Sequence, residues 1–522
     1  MRRSMIAGSI VLAATVAIAA GVAAQPKVLR VVPQSDVTVL DPMTSTAWIS
    51  MVHGEMLFES LFAWDSKLAP QPQMAASWST SPDGLTWRIA LRDGLKFHDG
   101  SPVTAHDVVV STQRWMAIDL VGGRVGANTA ALTAVDDKTV AFTLKRPMPG
   151  LLSYLAAAPA RYAAVMRAKD IEGADGKVSL TAVSDPVGSG PFRFVPAEHV
   201  AGHLIVYAKN TDYVPRSEPP DGLSGGRLVK VDRVEWHVIP DAATAASALI
   251  NNEMDIVASP SLDQVELLGR NKDIRVRKLT PLAGQNMLRG NATMPPFNDK
   301  RARQALQYII DQGDEMAGGW GDEAHWKRCY SYFVCGTPYG TEVGTESLRQ
   351  DFAKARQLMA EAGYHGEKLT FVSTHEIGPL GQMAEVAYDA LKRAGLNVDM
   401  VWTDWGTIGK ILYKRDAWNL FLTGAPGAIT FDPLTNVGTD ESCEGKNFVG
   451  WPCDLEVEKL RAAFIDADAA GRPAALDKLH RALVDSAPYA VLGQYDSLTA
   501  QRTSVTGLLD SPVLVYWNID KP

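Results

Sequence analysis

DGLTWRIALRDGLKFHDGSPVTAHDVVVSTQRW, residues 83–115, sets out the local grammar of the chain. Residues 87–91 alternate as a half-buried strand does, and Asp99 with Gly100 marks a turn. Residues 104–115 then read as a helix capped by Thr104. Residues 139–144 alternate again, so the helix lies between two strands. His98 and Asp99 have the residue types of an acid–base pair, but a polar pair at a strand-to-helix turn ordinarily holds its own loop.

Outward from this block, strand-like and helix-like stretches alternate. Residues 28–33 form an apolar strand, and DPVGSGPFRFV at 185–195 is a glycine-rich turn entering a strand whose hairpin partner is 202–209. Strand 233–239, helix 241–251 and strand 255–257 have the order of an α/β unit, and 369–373, 382–394 and 397–402 repeat it. Helices are expected at 298–310, with Ala302, Ala305, Leu306 and Ile309 on one face, and at 351–362, 454–466 and 474–486. Short strands are expected at 489–494 and 513–518. The fold class is α/β, and 522 residues imply more than one domain.

The first residues differ from the rest. Arg2 and Arg3 precede an alanine-rich apolar run that closes on Val22, Ala23 and Ala24, the pattern of a signal peptide (1–24) cleaved after Ala24. No cysteine precedes Cys329, so an N-terminal lipidated cysteine is excluded. A periplasmic protein with no membrane insertion after cleavage is the expectation. Loss of the two leader arginines takes the formal charge from −8 to −10, which argues against nucleic acid as a partner.

In an exported chain four cysteines point to disulfides. Cys329 with Cys335 and Cys443 with Cys453 is the favoured pairing, although four cysteines allow three pairings. Neither pair has the close spacing of a zinc site, and no metal or cofactor is expected. Glu198, His199 and His203 have metal-ligand spacing, but Pro196 and Gly202 break the helix that this reading needs. No HExxH, nucleophile-elbow, Walker or dinucleotide motif occurs, which leaves catalysis without a named mechanism.

The block at 83–115 resembles the signature of the large extracellular solute-binding proteins of family 5. PVGSGPF (186–192), NTDYV (210–214), IPDAATAASAL (239–249), FNDKRARQAL (297–306) and TDWG (403–406) match in order. The resemblance implies a periplasmic-binding-protein-like two-lobe fold of type II, in the large peptide-binding subclass, with an extra domain inserted in lobe I. Lobe I would take 26–59, 185–268 and 487–522, the inserted domain 60–184, and lobe II 269–486.

By the same resemblance Trp405 and the loop from Gly424 through Ala425, Pro426, Gly427, Ala428 and Ile429 to Phe431 border the cleft. Asn286 and Arg289 lie on a cleft-lining strand, and Trp48 and His53 are further candidates. In the dipeptide binders an acid in this loop pairs with the ligand's amino terminus. The nearest aligned positions here are Ala428 and Ile429, which disfavours a free-amine dipeptide unless Asp432 or another acid substitutes.

The expected function is capture of a small peptide or peptide-like solute by a monomer, for delivery to an inner-membrane ABC permease and its ATPase. Alternatives are presentation of ligand to a chemoreceptor, binding of a non-peptide solute (opine, metal complex or sugar), or an extracellular peptidase.

Overall fold

A computed structural model describes residues 26–522 apart from 158–160, 281, 444–447 and 469. The expected signal peptide lies outside the described residues. Two large sheets organise the chain. The first has seven strands in the order Ile274–Lys278, Leu498–Arg502, Ile256–Val257, Val28–Val32, Arg233–His237, Leu204–Lys209, Phe192–Phe194. The second has six: Trp326–Lys327, Ala490–Tyr495, Gly284–Gly290, Leu420–Ala425, Leu369–Ser373, Val398–Trp402.

Register places the ends of these strands. In the first sheet Val31 pairs in parallel with both Trp236 and Ile256, while Lys278 lies opposite Leu498 in an antiparallel pair. The carboxyl ends of 28–32, 233–237, 256–257 and 274–278 therefore share one edge with the start of 498–502. In the second sheet Ser373 pairs in parallel with Trp402 and Val372 with Phe421, while Gln285 faces Ala425 and Gly284 faces Tyr495. Its carboxyl edge thus holds Ser373, Trp402, Ala425, Gly284 and Tyr495.

The chain passes between the sheets at 279–283 and again at 496–497, both times from one of these edges to the other. A hydrogen bond from Leu279 N to Ser497 O (2.8 Å) joins the two crossings. Because both crossings leave from carboxyl edges, those edges face each other across a two-stranded hinge.

Sheet membership changes at two points along the chain. Residues 274–278 belong to the first sheet, since strand 498–502 supplies their partners, and 490–495 belong to the second. Backbone pairing therefore changes from one sheet to the other after 278 and changes back after 495.

Residues 75–144 build a separate antiparallel four-stranded sheet, Ala75–Thr80, Thr86–Leu91, Thr139–Leu144, Thr129–Ala134. The opening block supplies its second strand and the helix Ala105–Ile118. Thr104 and Asp107 form a reciprocal capping box that satisfies the first exposed amides of that helix. Arg114 on this helix reaches Asp41 beside the first sheet (2.7 and 3.2 Å), and both side chains are wholly buried.

Helix Lys300–Ile309 buries Ala302, Ala305, Leu306 and Ile309, the expected face. Helix Gly378–Arg393 starts a turn earlier than expected, with Pro379 tolerated where its missing N–H has no intrahelical role. Residues 513–518 form no strand. Their side chains from Val513 to Trp517 are buried, but Asn518 turns at φ 64°, so apolar content reports burial there and not pairing. The strand at Leu498–Arg502 is hidden by its polar residues. Gln501 is buried there because its amide donates to Val505 O at 2.8 Å.

Candidate functional site

The cleft edge of the second sheet carries most of the expected ligand residues. Gly424 and Asn286 are cross-strand partners, and a Cβ at Gly424 would approach Asn286 Nδ2 to 2.8 Å, so glycine permits the close pairing. Asn286 is buried and accepts a hydrogen bond from Trp320 Nε1 (2.9 Å). The Trp320 indole stacks on Tyr495, with centroids 4.0 Å apart and planes 9° from parallel. Trp320 was invisible in the sequence, because 34 residues separate it from Asn286 and only the fold joins them.

Loop 426–431 lies against the hinge. A Cβ on Gly427 would meet Ala283 O at 2.5 Å, so that position admits no side chain. Ala428 and Phe431 are buried in the core of the first lobe, and Phe431 packs edge-on against Trp64 at 5.1 Å. Gly424, Ala425, Pro426 and Ile429 remain half-buried. Asp432 does not replace the missing acid: its Oδ1 accepts from Leu434 N, Thr435 N and Thr435 Oγ1, which closes the next turn.

Arg289 is not free to engage a ligand carboxylate. Strand alternation turns it to the face opposite Asn286, where it donates to Val449 O (3.1 Å) and Gly438 O (2.8 Å) between the rings of Phe448 and Tyr489. Burial lowers its guanidinium to about 10. It ties Gly438 and Val449 together.

His53 is likewise a core residue. Its Nδ1 lies 2.8 Å from Tyr207 Oη, the ring packs against Phe194, and burial pushes the imidazole down to about 3. Trp48 begins helix Trp48–Leu57, half-buried against the same core.

Trp405 is 40% exposed at the start of helix Trp405–Leu412, whose N-cap Asp404 accepts from Thr407 N. Its backbone N–H donates to Glu376 Oε2 (2.8 Å) from the neighbouring strand-end loop. His375 in that loop stacks on Trp402 at 3.8 Å, and Trp402 and Ile377 are 37% and 38% exposed. Sequence reading singled out neither His375 nor Glu376, although both directly follow a strand end, the usual address of ligand groups in open α/β sheets.

The opposite flank is closed by side chains. Arg124, on helix Leu120–Asn128, donates to Asp440 Oδ2 (2.7 Å) and Leu434 O (2.6 Å). Burial opposes ionisation of Asp440, but the Arg124 guanidinium and the Ser442 hydrogen bonds outweigh it and hold the carboxyl below its ordinary value. Buried Arg461 donates to Pro433 O (2.7 Å) and to Thr439 on the same loop.

The two remaining motif candidates are structural. His98 Nε2 contacts Gly190 O (3.1 Å) and Asp99 binds Ser101 and Arg167, so the pair holds its loop. Glu198 ends a single 3-10 turn and pairs with Arg233, ahead of strand Leu204–Lys209. Both expected disulfides, Cys329–Cys335 and Cys443–Cys453, are present. The grooves beside Gln307 and Val491 and beside Tyr308 and Arg481 contain none of the expected ligand residues.

Two α/β lobes, hinged by paired crossings and facing each other by their carboxyl edges, define a bilobal solute receptor. The profile described as "Bacterial extracellular solute-binding proteins, family 5 Middle" matches residues 69–448, and the chain belongs to that family. A relative from Sinorhizobium fredii, named "Probable peptide ABC transporter periplasmic-binding protein", is 32% identical over 496 residues, covering 93% of this chain and 92% of its own. Among solved structures, a dipeptide-binding protein of Pseudoalteromonas sp. SM9913 in complex with Met-Leu superposes with a TM-score of 0.80 at 23% identity, covering 95% of this chain and 100% of that one. AgaA from A. tumefacien R10 in complex with agropinic acid gives 0.78 at 20%, with 95% and 99% covered. The family comprises substrate-binding proteins rather than enzymes.

Proposed function

We propose that this protein is the periplasmic receptor of an ABC uptake system, which captures a small peptide or peptide-like solute between its lobes and hands it to an inner-membrane permease. The observation that carries this reading is the pair of carboxyl edges facing each other where, among the described residues, the chain crosses between the sheets after Lys278 and after Tyr495. Ligands of open α/β sheets bind outside such edges. A ligand that touches both edges favours the closed arrangement by its differential contacts, so capture needs no covalent step.

Lobe I is taken as 26–59, 185–278 and 496–522, lobe II as 279–495, and the inserted domain as 60–184. Trp405, the half-buried Gly424, Ala425, Pro426 and Ile429 and the neighbourhood of Trp48 supply the ligand surface, with Trp320 and Tyr495 as a further wall. The S. fredii relative's name supports both the peptide class and the ABC partner. Among the described residues no helix is long and apolar enough to cross a membrane. A leader cleaved after Ala24 accounts for export.

Tryptophan fluorescence titration against a panel of di- to pentapeptides, opines and amino-acid derivatives tests the reading. A saturable, reversible response to peptides is expected, with ligand recovered chemically unchanged. Absence of any response to peptides across the panel would overturn the peptide assignment, and chemical conversion of the ligand would overturn the receptor assignment.

A further inference from the structure

A peptide-like solute enclosed between two lobes brings its ammonium group out of water, and a buried charge without a counter-charge is strongly unfavourable. Loop 426–431 carries no acid. Other acids at the cleft edge of the second sheet are already engaged. Asp432 closes its own turn, Asp404 caps helix Trp405–Leu412, and Asp496 pairs with Lys278 at 2.7 Å.

Glu376 differs from all three. It lies in the loop between strand Leu369–Ser373 and helix Gly378–Arg393, beside the ends of strands Val398–Trp402 and Leu420–Ala425. Its Oε2 is held by the Trp405 N–H at 2.8 Å, while its backbone N–H donates to Thr374 Oγ1 (3.1 Å). Both bonds limit where the carboxylate can point. Oε1 is left available, and among the described residues no lysine or arginine pairs with this group. Trp405, whose N–H it holds, and Trp402, stacked on the adjacent His375, are each more than a third exposed. Indole faces attract cations, and a carboxylate beside exposed indoles supplies the counter-charge for a primary ammonium.

Resting on the peptide-receptor reading, we infer that Glu376, with Trp402 and Trp405, forms the ammonium subsite of the cleft and makes the protein select solutes that carry a primary amine. Glu376 is a specificity-determining residue for binding. Its hydrogen bond to Trp405 alone would be satisfied equally by an uncharged acceptor, which separates the charge from the capping role.

Two sources of ammonium exist in peptides, the amino terminus and a lysine side chain. Calorimetric titration of the full mature chain and of Glu376→Gln with trialanine, N-acetyl-trialanine and N-acetyl-Ala-Ala-Lys distinguishes them. Glutamine keeps the acceptor for Trp405 N–H and loses only the charge. Wild type is expected to bind one of the two cationic probes at least tenfold more tightly than N-acetyl-trialanine, and Glu376→Gln to erase that preference while leaving N-acetyl-trialanine affinity within about twofold. The probe that gains identifies the source of the amine.

Equal wild-type affinity for all three probes, or a tenfold preference that survives in Glu376→Gln, overturns the subsite and leaves the peptide reading standing. No binding of any of the three overturns the peptide reading itself, and the subsite with it.

Discussion

The two flanks of the second sheet's cleft edge are built in opposite ways. On one flank loop 426–440 is packed down: Gly427 touches the hinge backbone, Phe431 enters the first core beside Trp64, and Arg124 reaches across to Asp440 and Leu434. On the other, Trp402, Trp405 and Ile377 stand partly in water, with His375 stacked on Trp402 and Glu376 holding the Trp405 N–H. The first flank uses its polar groups on the protein itself. The second leaves them available, which is the condition for recognising a solute. A receptor needs both, because a rigid flank fixes the geometry in which the open flank meets its ligand.

Breaking the closed flank is expected to give the largest effect. Arg124→Ala removes the guanidinium that pairs with Asp440, whose side chain is 2% exposed. Removing one partner of a buried pair costs about 3–5 kcal/mol. Urea denaturation should show that loss, and small-angle scattering should show a larger radius of gyration in the ligand-free protein. Unchanged values in both would mean that this contact does not hold the lobes.

Phe431→Ala comes next, with a loss of about 3 kcal/mol from the cavity left against Trp64. Its unfolding midpoint is the readout, and a change below 1 kcal/mol on the same scale would show that the loop collapses to refill the space.

A third test uses pH. Glu441, on the closed flank, binds Ser486 Oγ at 2.6 Å, but burial pushes its carboxyl up to about 7, against 4.5 in the unfolded chain. The folded state therefore holds a proton that the unfolded state has released. This contribution is fully present below pH 4.5 and is lost as the pH rises to about 7. Glu441→Gln should flatten stability across that window by roughly 3–4 kcal/mol, at about 1.4 kcal/mol per pH unit. Parallel pH profiles for wild type and variant would remove Glu441 as the cause.

The smallest stability effect belongs to the open flank. Trp405→Ala should cost less than about 1 kcal/mol, as exposed substitutions do, yet weaken ligand binding at least tenfold. A stability loss as large as that of Arg124→Ala would erase the contrast between the flanks.

Local structure was legible wherever one pattern had one cause. The 104–115 helix carried its own cap, and the α/β order at 369–402 followed from period and length. Residues 513–518 misled because burial by irregular backbone and burial in a strand leave the same apolar composition. Of the candidate ligand residues, Trp405 was singled out by its motif and is exposed at the end of a strand-end loop. The structural roles of Arg289 and His53 were not legible, since a buried arginine on backbone carbonyls and a ligand arginine look alike in one dimension.

The sequence by itself indicated most of the elements, their α/β order and the family, and favoured the cysteine pairs that the structure joins, because caps, periodicity and short chain separations are local. Tertiary structure alone decided which edges face each other, which acids are already occupied and where the chain crosses between lobes. Those depend on strand register and on partners such as Arg124 and Asp440, 316 residues apart, which no local pattern encodes.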